Sequence, residues 1–129
     1  MYPYRRLLVW QRARTMAVDT YRAGVFSEAV RYRSLVDQMR RSAVSISANI
    51  AEGAGSGSQP MFARYLGIAL GSAYELESHL LLARDIGCAA GDSGEALLAE
   101  IESIIKMLTA LLRSVRSRRS EFRPPASNP

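Results

Sequence analysis

Few side chains in this sequence are candidates for catalysis, because it contains one histidine and one cysteine. His79 lies on a predicted helix and Cys88 in the turn after it, so a thiol nucleophile with a histidine base is conceivable. No feature of the sequence orients the imidazole or activates the thiol. Glu75 and His79 are one helical turn apart and could both touch a metal ion, but further ligands are missing. We therefore expect a surface contact between Glu75 and His79, and no enzyme activity, metal or cofactor.

A glycine-rich segment from Gly53 to Ser58 precedes a predicted helix, an arrangement that can bind phosphate. The element before it is also a predicted helix, whereas nucleotide-binding loops follow a strand, and the lysine of a P-loop is missing. Gly53 suits a helix C-cap because glycine tolerates positive φ. We therefore interpret the segment as a helix end and a tight turn.

Arginine is the residue type that most favours a binding function. The net charge of +5 is uneven, with nine arginines and three acidic residues in residues 1–50, and five arginines and one acidic residue in residues 113–129. Residues 51–112 carry three basic and eight acidic residues. Arginine forms bidentate contacts with phosphate and with carboxylate alike, so two interpretations stay open. The predicted nucleic-acid contacts are Arg12, Arg14, Arg22, Arg31, Arg33, Arg40 and Arg41, with help from Arg113, Arg116, Arg118 and Arg119.

The alternative for these arginines is a solvated face or ion pairs within and between subunits. Pairing with Glu75, Glu77 or Glu102 would leave only the C-terminal arginines free for phosphate. Salt dependence of binding separates the two interpretations, because phosphate contacts release counterions.

Length and composition indicate one globular domain. The 129 residues, 48% hydrophobic and 22% charged, are enough for a single core. A single cysteine excludes an intrachain disulfide and fits a reducing compartment, so we expect a cytoplasmic protein. The longest apolar runs are far shorter than the roughly 20 residues of a membrane-spanning helix, and no membrane association is expected.

Apolar residues recur at intervals of three and four in four segments, which predicts four amphipathic helices. The first is predicted from Arg5 to Gly24, with the core positions Trp10, Ala13, Ala17, Tyr21 and Gly24. The second ends at Gly53, with Tyr32, Val36, Met39, Ala43, Ile46 and Ile50. The third is capped by Ser58 and extends to about Ile86, with Phe62, Leu66, Ala69, Ala73, Leu76 and Leu80. The fourth begins near Asp92 and Glu95, with Leu97, Ile101, Ile104, Ile105, Leu108, Leu111, Leu112 and Val115.

Short links between such helices favour an all-α, antiparallel up-down four-helix bundle in one domain at residues 1–117. Residues 118–129 are predicted to form a basic, proline-containing disordered tail.

The second predicted helix has two further faces besides its core stripe. Ser45, Asn49 and Glu52 belong to a polar stripe, which we interpret as a structural hydrogen-bonding network that is mostly buried in the assembled protein. Small or apolar residues on the other surfaces of the second and third helices would allow close approach of another subunit. The predicted oligomer interface comprises Val44, Ala48, Ala51, Gly67, Gly71 and Leu82.

Three stretches of the sequence carry a family resemblance. They are Leu8 to Gln11 with Ala13, Gln38 to Gly53, and the third-helix residues Phe62, Arg64 to Leu66, Ile68 to Ser72 and Glu75 to Glu77. The chain resembles the bacterial four-helix bundle proteins encoded by intervening sequences of large-subunit ribosomal RNA genes, and is similar to the accessory variability protein of diversity-generating retroelements. Serine at position 47, where the family often has proline, departs from the pattern.

The resemblance implies a ring-like homo-oligomer, commonly a pentamer, often with a basic surface suited to nucleic acid and with no established enzyme activity. Together with the arginines, it predicts a non-catalytic protein that binds RNA, DNA or a ribonucleoprotein. The alternative is an oligomeric scaffold that binds another protein without direct nucleic-acid contact.

Overall fold

Four segments with apolar residues at helical spacing form four helices. The computed structural model describes residues 2–23, 31–88 and 91–118. A 3-10 turn at Tyr4–Arg6 precedes α1 (Leu8–Arg22), which is followed by α2 (Arg33–Gly55), α3 (Gln59–Asp85) and α4 (Asp92–Ser117). Each helix packs against the next and α1 packs against α4, which closes an antiparallel bundle. The described ranges contain no strand, and the predicted all-α fold is confirmed.

All four helices contribute to the core, and in α2, α3 and α4 it follows the predicted stripes. In α2 every predicted core residue is buried except Tyr32, which is half-buried, and in α3 all are buried. In α4 the buried residues include Leu97, Leu98 and Ile101, while Ile105 and Leu111 are half-buried at the edge. The helical spacing of apolar residues was therefore a reliable guide to three of the four helices.

The core face of α1 differs from the prediction. Its buried residues are Val9, Ala13, Met16 and Thr20, whereas Tyr21 is 53% exposed. Val9, Met16 and Thr20 each lie one residue before a predicted core position. The buried stripe is therefore rotated around the helix relative to the predicted stripe. Thr20 tolerates full burial because its hydroxyl donates a hydrogen bond to the Met16 carbonyl at 2.7 Å. The predicted core residue Gly24 lies outside the described residues.

The end of α2 also differs from the prediction. The helix continues to Gly55, and Gly53 is a buried helical residue rather than the C-cap. Glycine is required at position 53 by space, since a Cβ atom there would lie 2.7 Å from the Tyr65 Cβ. The positive φ of the turn, 80°, belongs to Gly57. The expected helix end and tight turn are present, but two residues later.

The starts of α3 and α4 are stabilised differently. Ser58 is the N-cap of α3 as predicted, and its Oγ accepts a hydrogen bond from the Met61 N–H at 3.1 Å. At the start of α4, Gly91 is the N-cap residue and no side chain caps the helix. Asp92 and Glu95 lie in the first turn, where their charges favour the positive end of the helix dipole.

The two ends of the bundle contain different helix termini. At one end, which we call the basic end, α1 and α3 begin and α2 and α4 end. At the opposite end α1 and α3 finish and α2 and α4 begin. α4 finishes at Ser117, so the predicted tail lies outside the described residues except for Arg118.

Candidate nucleic-acid interface

Exposed arginines collect at the basic end of the bundle. Those of α4 are close to its C-terminus, and the 3-10 turn before α1 and the start of α3 contribute others, all within about one and a half helical turns of a helix terminus at this end. Glu52 is the only acidic residue that the described ranges place in the same region. The exposed arginines of the basic end are Arg5, Arg6, Arg64, Arg113, Arg116 and Arg118.

Arg5, Arg6 and Arg64 were not among the predicted contacts, because the sequence does not show that they lie at the same end of the bundle as the C-terminal arginines. Antiparallel packing brings the beginning of one helix beside the end of the next. The positions of these arginines at predicted helix starts were the signal that could have identified them. Arg119, which was predicted as a contact, lies outside the described residues.

The opposite end of the bundle has no comparable excess of positive charge. Arg22 and Arg33 are exposed at the adjoining ends of α1 and α2, and Arg31 is exposed just before α2. Carboxylates share this end of the molecule, so its field is mixed. The acidic residues there are Asp19, Asp37, Asp85, Asp92 and Glu95, and Arg84 is a further exposed arginine.

Arg12 is engaged in an ion pair between α1 and α4. Its Nε donates to the Glu100 carboxylate at 2.9 Å, and a second guanidinium nitrogen contacts the other carboxylate oxygen. A third nitrogen lies 3.5 Å from the Met107 sulfur. The hydrogen bond to Glu100 raises the pKa of the Arg12 guanidinium. These contacts indicate a structural role for Arg12 rather than the predicted phosphate contact, and the carboxylate is Glu100 rather than Glu75, Glu77 or Glu102.

Replacing Arg12 or Glu100 is expected to destabilise the bundle modestly. Both side chains are about one-third exposed, at 36% and 31%, so water screens the pair. We expect Arg12→Ala or Glu100→Gln to lower the free energy of unfolding by about 1 kcal/mol, with a coupling of about 0.5 to 1 kcal/mol in a double-mutant cycle measured by urea unfolding. Arg14→Ala, an exposed neighbour on α1, is the control and should change stability by less than about 0.5 kcal/mol. Fully additive single changes would contradict the assignment.

Arg40 is held against α1 instead of extending freely into solvent. Its guanidinium carbon lies 5.2 Å from the centre of the Tyr21 ring, and one nitrogen lies 3.4 Å from the Tyr21 carbonyl oxygen. Arg41, the next residue, is exposed, as is Arg14. Arg40 therefore joins α2 to α1, whereas Arg41 is available to a ligand.

The polar stripe of α2 faces α3 and is bonded in part. The Asn49 amide donates to the Ser45 carbonyl at 2.8 Å and approaches the Ser45 hydroxyl at 3.0 Å. The hydroxyls of Ser45 and Ser72 are 2.8 Å apart, so the network crosses from α2 to α3. Within one chain Glu52 is exposed and makes no hydrogen bond with another described residue, and it does not join this network.

The six predicted interface residues lie on more than one surface. Val44 borders a groove beside Tyr21 of α1, and Ala51 borders a pocket beside the N-terminal segment. Gly71 and Leu82 are exposed on α3 and share one side of that helix, three turns apart. Ala48 is exposed and Gly67 is half-buried. A Cβ atom at Gly67 or Gly71 would have no neighbour within 4 Å.

The residues considered for catalysis or metal binding lie on α3 or in the turn after it. His79 Nε2 lies 3.6 Å from a Glu75 carboxylate oxygen, which is the expected one-turn surface contact. No group of three potential metal-ligating side chains occurs in the described part of the chain. Cys88 is buried in the turn after α3. None of the described helices has the combination of length and apolar character that a bilayer span requires.

Sequence comparison assigns the helical body to a family. The family model described as 23S rRNA-intervening sequence protein matches residues 5–110. The chain belongs to this family. The match covers all of α1, α2 and α3 and most of α4, and it confirms the resemblance carried by the first three helices. No curated protein matches the sequence.

A similar solved structure supports the assignment of this chain to the intervening-sequence family. It is the crystal structure of a protein of unknown function from the S23 ribosomal protein family of Bacteroides thetaiotaomicron. The two chains share 26% sequence identity and superpose with a TM-score of 0.73, over 81% of this chain and 98% of the other. The shared part is therefore almost the whole of the other protein.

Proposed function

We propose that the protein is a non-catalytic homo-oligomer that binds nucleic acid, RNA or a ribonucleoprotein in particular, through its arginine-rich surface. The observation that carries this proposal is the basic end, where six exposed arginines meet one described carboxylate. None of the six forms an ion pair with a described acidic residue. Guanidinium groups without a carboxylate partner are suited to bidentate phosphate contacts.

This proposal changes which arginines are the main phosphate contacts. Arg113, Arg116 and Arg118 become the main phosphate contacts and are joined by Arg5, Arg6 and Arg64. Arg41, with Arg22, Arg31 and Arg33, forms a weaker second region, because carboxylates share that half of the bundle, and Arg14 lies on α1 between the two regions. Repetition of the basic end around an oligomer would strengthen the field and the avidity.

The proposal is tested by measuring nucleic-acid affinity over a series of salt concentrations. We expect Arg113→Ser/Arg116→Ser to weaken binding and to reduce the slope of log K against log salt by about two, one unit for each lost contact. Arg40→Ser/Arg41→Ser should reduce the slope by about one, because Arg40 is held by Tyr21. Glu102→Gln, which removes an exposed charge elsewhere on α4, is the control. Wild-type binding that is insensitive to salt would contradict the proposal.

A protein-binding scaffold is the second candidate function. It is favoured by apolar side chains exposed on α3, with Ile68 at 41% and Leu82 at 51%. An interface built on such residues would tolerate added salt better than phosphate contacts do. The same salt series therefore separates the two candidates.

A further inference from the structure

A pocket beside the basic end is not explained by the folding of the bundle. It lies between the N-terminal segment and the last two turns of α2, has a volume of about 380 Å³, and is almost wholly apolar. This volume is within the range of small-ligand pockets. We call it the N-terminal pocket, and its lining residues are Tyr2, Pro3, Tyr4, Arg5, Ala51 and Gly55.

Packing behind the aromatic walls of the N-terminal pocket holds them in place. The Tyr2 N–H donates to the Ala54 carbonyl at 2.8 Å, and the Tyr2 ring contacts Phe62 with centroids 6.0 Å apart. Tyr4 meets Trp10 edge to face at 5.0 Å. Tyr2 nevertheless remains 50% exposed. The pocket therefore presents preformed aromatic surface to a ligand, at little cost in ordering it.

The pocket is not filled on its α2 side because α2 has small residues there. Ala51 and Gly55 are one turn apart on the side of α2 that meets the N-terminal segment. A larger side chain at either position would occupy the space. The small residues Ala51 and Gly55 thus leave space for the pocket within a single chain, which is separate from any contact with another subunit.

We propose that the N-terminal pocket holds an unpaired base of a single-stranded nucleic acid whose phosphates contact the arginines of the basic end. This inference rests on the proposed function and adds the class of nucleic acid. Aromatic and apolar walls suit the planar face of a base, and Arg5 in the lining, with Arg6 beside it, supplies charge for the attached phosphate. A paired base offers no free face, so the pocket selects for single strands, loops or bulges.

The test fills the pocket without changing any charge. Wild-type protein and Ala51→Leu are titrated with a labelled oligouridine of about 16 nucleotides and with the same strand annealed to its complement. We expect Ala51→Leu to lower affinity for the single strand about tenfold, the loss of one stacked base. Its salt slope should stay at the wild-type value, because no phosphate contact is removed. Affinity for the duplex should be unchanged.

Ala99→Leu places the same side chain on an exposed position of α4 and is the matched control. Tyr2→Leu, which removes a ring at the half-exposed wall, should reproduce the loss, while Tyr2→Phe should retain single-strand affinity. Thermal unfolding and light scattering of each variant establish that fold and assembly are intact.

The outcomes separate the inference from the proposed function. Wild-type affinity for the single strand in Ala51→Leu would overturn the inference, while steep salt dependence of wild-type binding would leave the proposed function standing. Dissociation of the assembly by Ala51→Leu, with equal losses for both nucleic acids, would also overturn it and assign the pocket to a neighbouring copy. Absence of any binding by the wild type would refute both.

Discussion

Gly53→Ala is expected to lower the free energy of unfolding by about 1 to 3 kcal/mol, although alanine is the better helix former. The added Cβ would lie 2.7 Å from the Tyr65 Cβ, 3.2 Å from Phe62 Cδ1 and 3.3 Å from the Phe62 carbonyl oxygen. The Phe62 carbonyl oxygen is a backbone atom and the Tyr65 Cβ is attached directly to the backbone. The clash is therefore relieved only if α2 and α3 move apart. The measurement is urea or thermal unfolding monitored by circular dichroism.

Gly55→Ala, two residues later, is the matched control. A Cβ atom at Gly55 would have no neighbour within 4 Å, and its φ is not in the positive range. Alanine there should be neutral or should stabilise the protein by up to about 1 kcal/mol. Opposite signs for the two changes are therefore expected, and a stable Gly53→Ala variant would show that α2 and α3 do not approach closely at this point.

Gly71→Leu is expected to dissociate the proposed homo-oligomer while leaving each bundle folded. Gly71 lies on the exposed side of α3 that also carries Leu82, and a Cβ atom at Gly71 would meet nothing within 4 Å of the same chain. A leucine can therefore be accommodated in the monomer, where it should raise helix propensity, but it would block the close approach of another backbone. Ala48→Glu, an added charge on the exposed side of α2, should act in the same direction.

Light scattering measures the result directly. The wild type is expected to have several times the 14.2 kDa mass of one chain, about fivefold if the predicted pentamer forms. Gly71→Leu should approach the mass of one chain with unchanged helicity, and Ala99→Leu on α4 should behave as the wild type. A wild type that is monomeric at high micromolar concentration would remove the basis for the proposed oligomer.

Helical periodicity was sufficient to predict the fold class and most of the core. Helical spacing located the buried faces of α2, α3 and α4, because apolar residues dominate those faces and the packing follows the pattern. It failed in α1, where the aromatic Tyr21 suggested a core position but lies at the edge in contact with Arg40. A large amphipathic ring satisfies the helical period equally well at the core and at its boundary, and a single helix cannot distinguish them.

The contacts between residues of different helices depend on how the helices pack. Gly53 looked like a helix end because glycine is common there, but its role depends on the distance to Tyr65 on another helix. The pairing of Arg12 with Glu100 joins residues 88 positions apart, which no local pattern encodes. The basic end likewise depends on antiparallel packing, which brings Arg5 and Arg113 to the same end of the bundle. Periodicity records which side of a helix is apolar, whereas charge clusters and close contacts depend on how the helices are placed relative to one another.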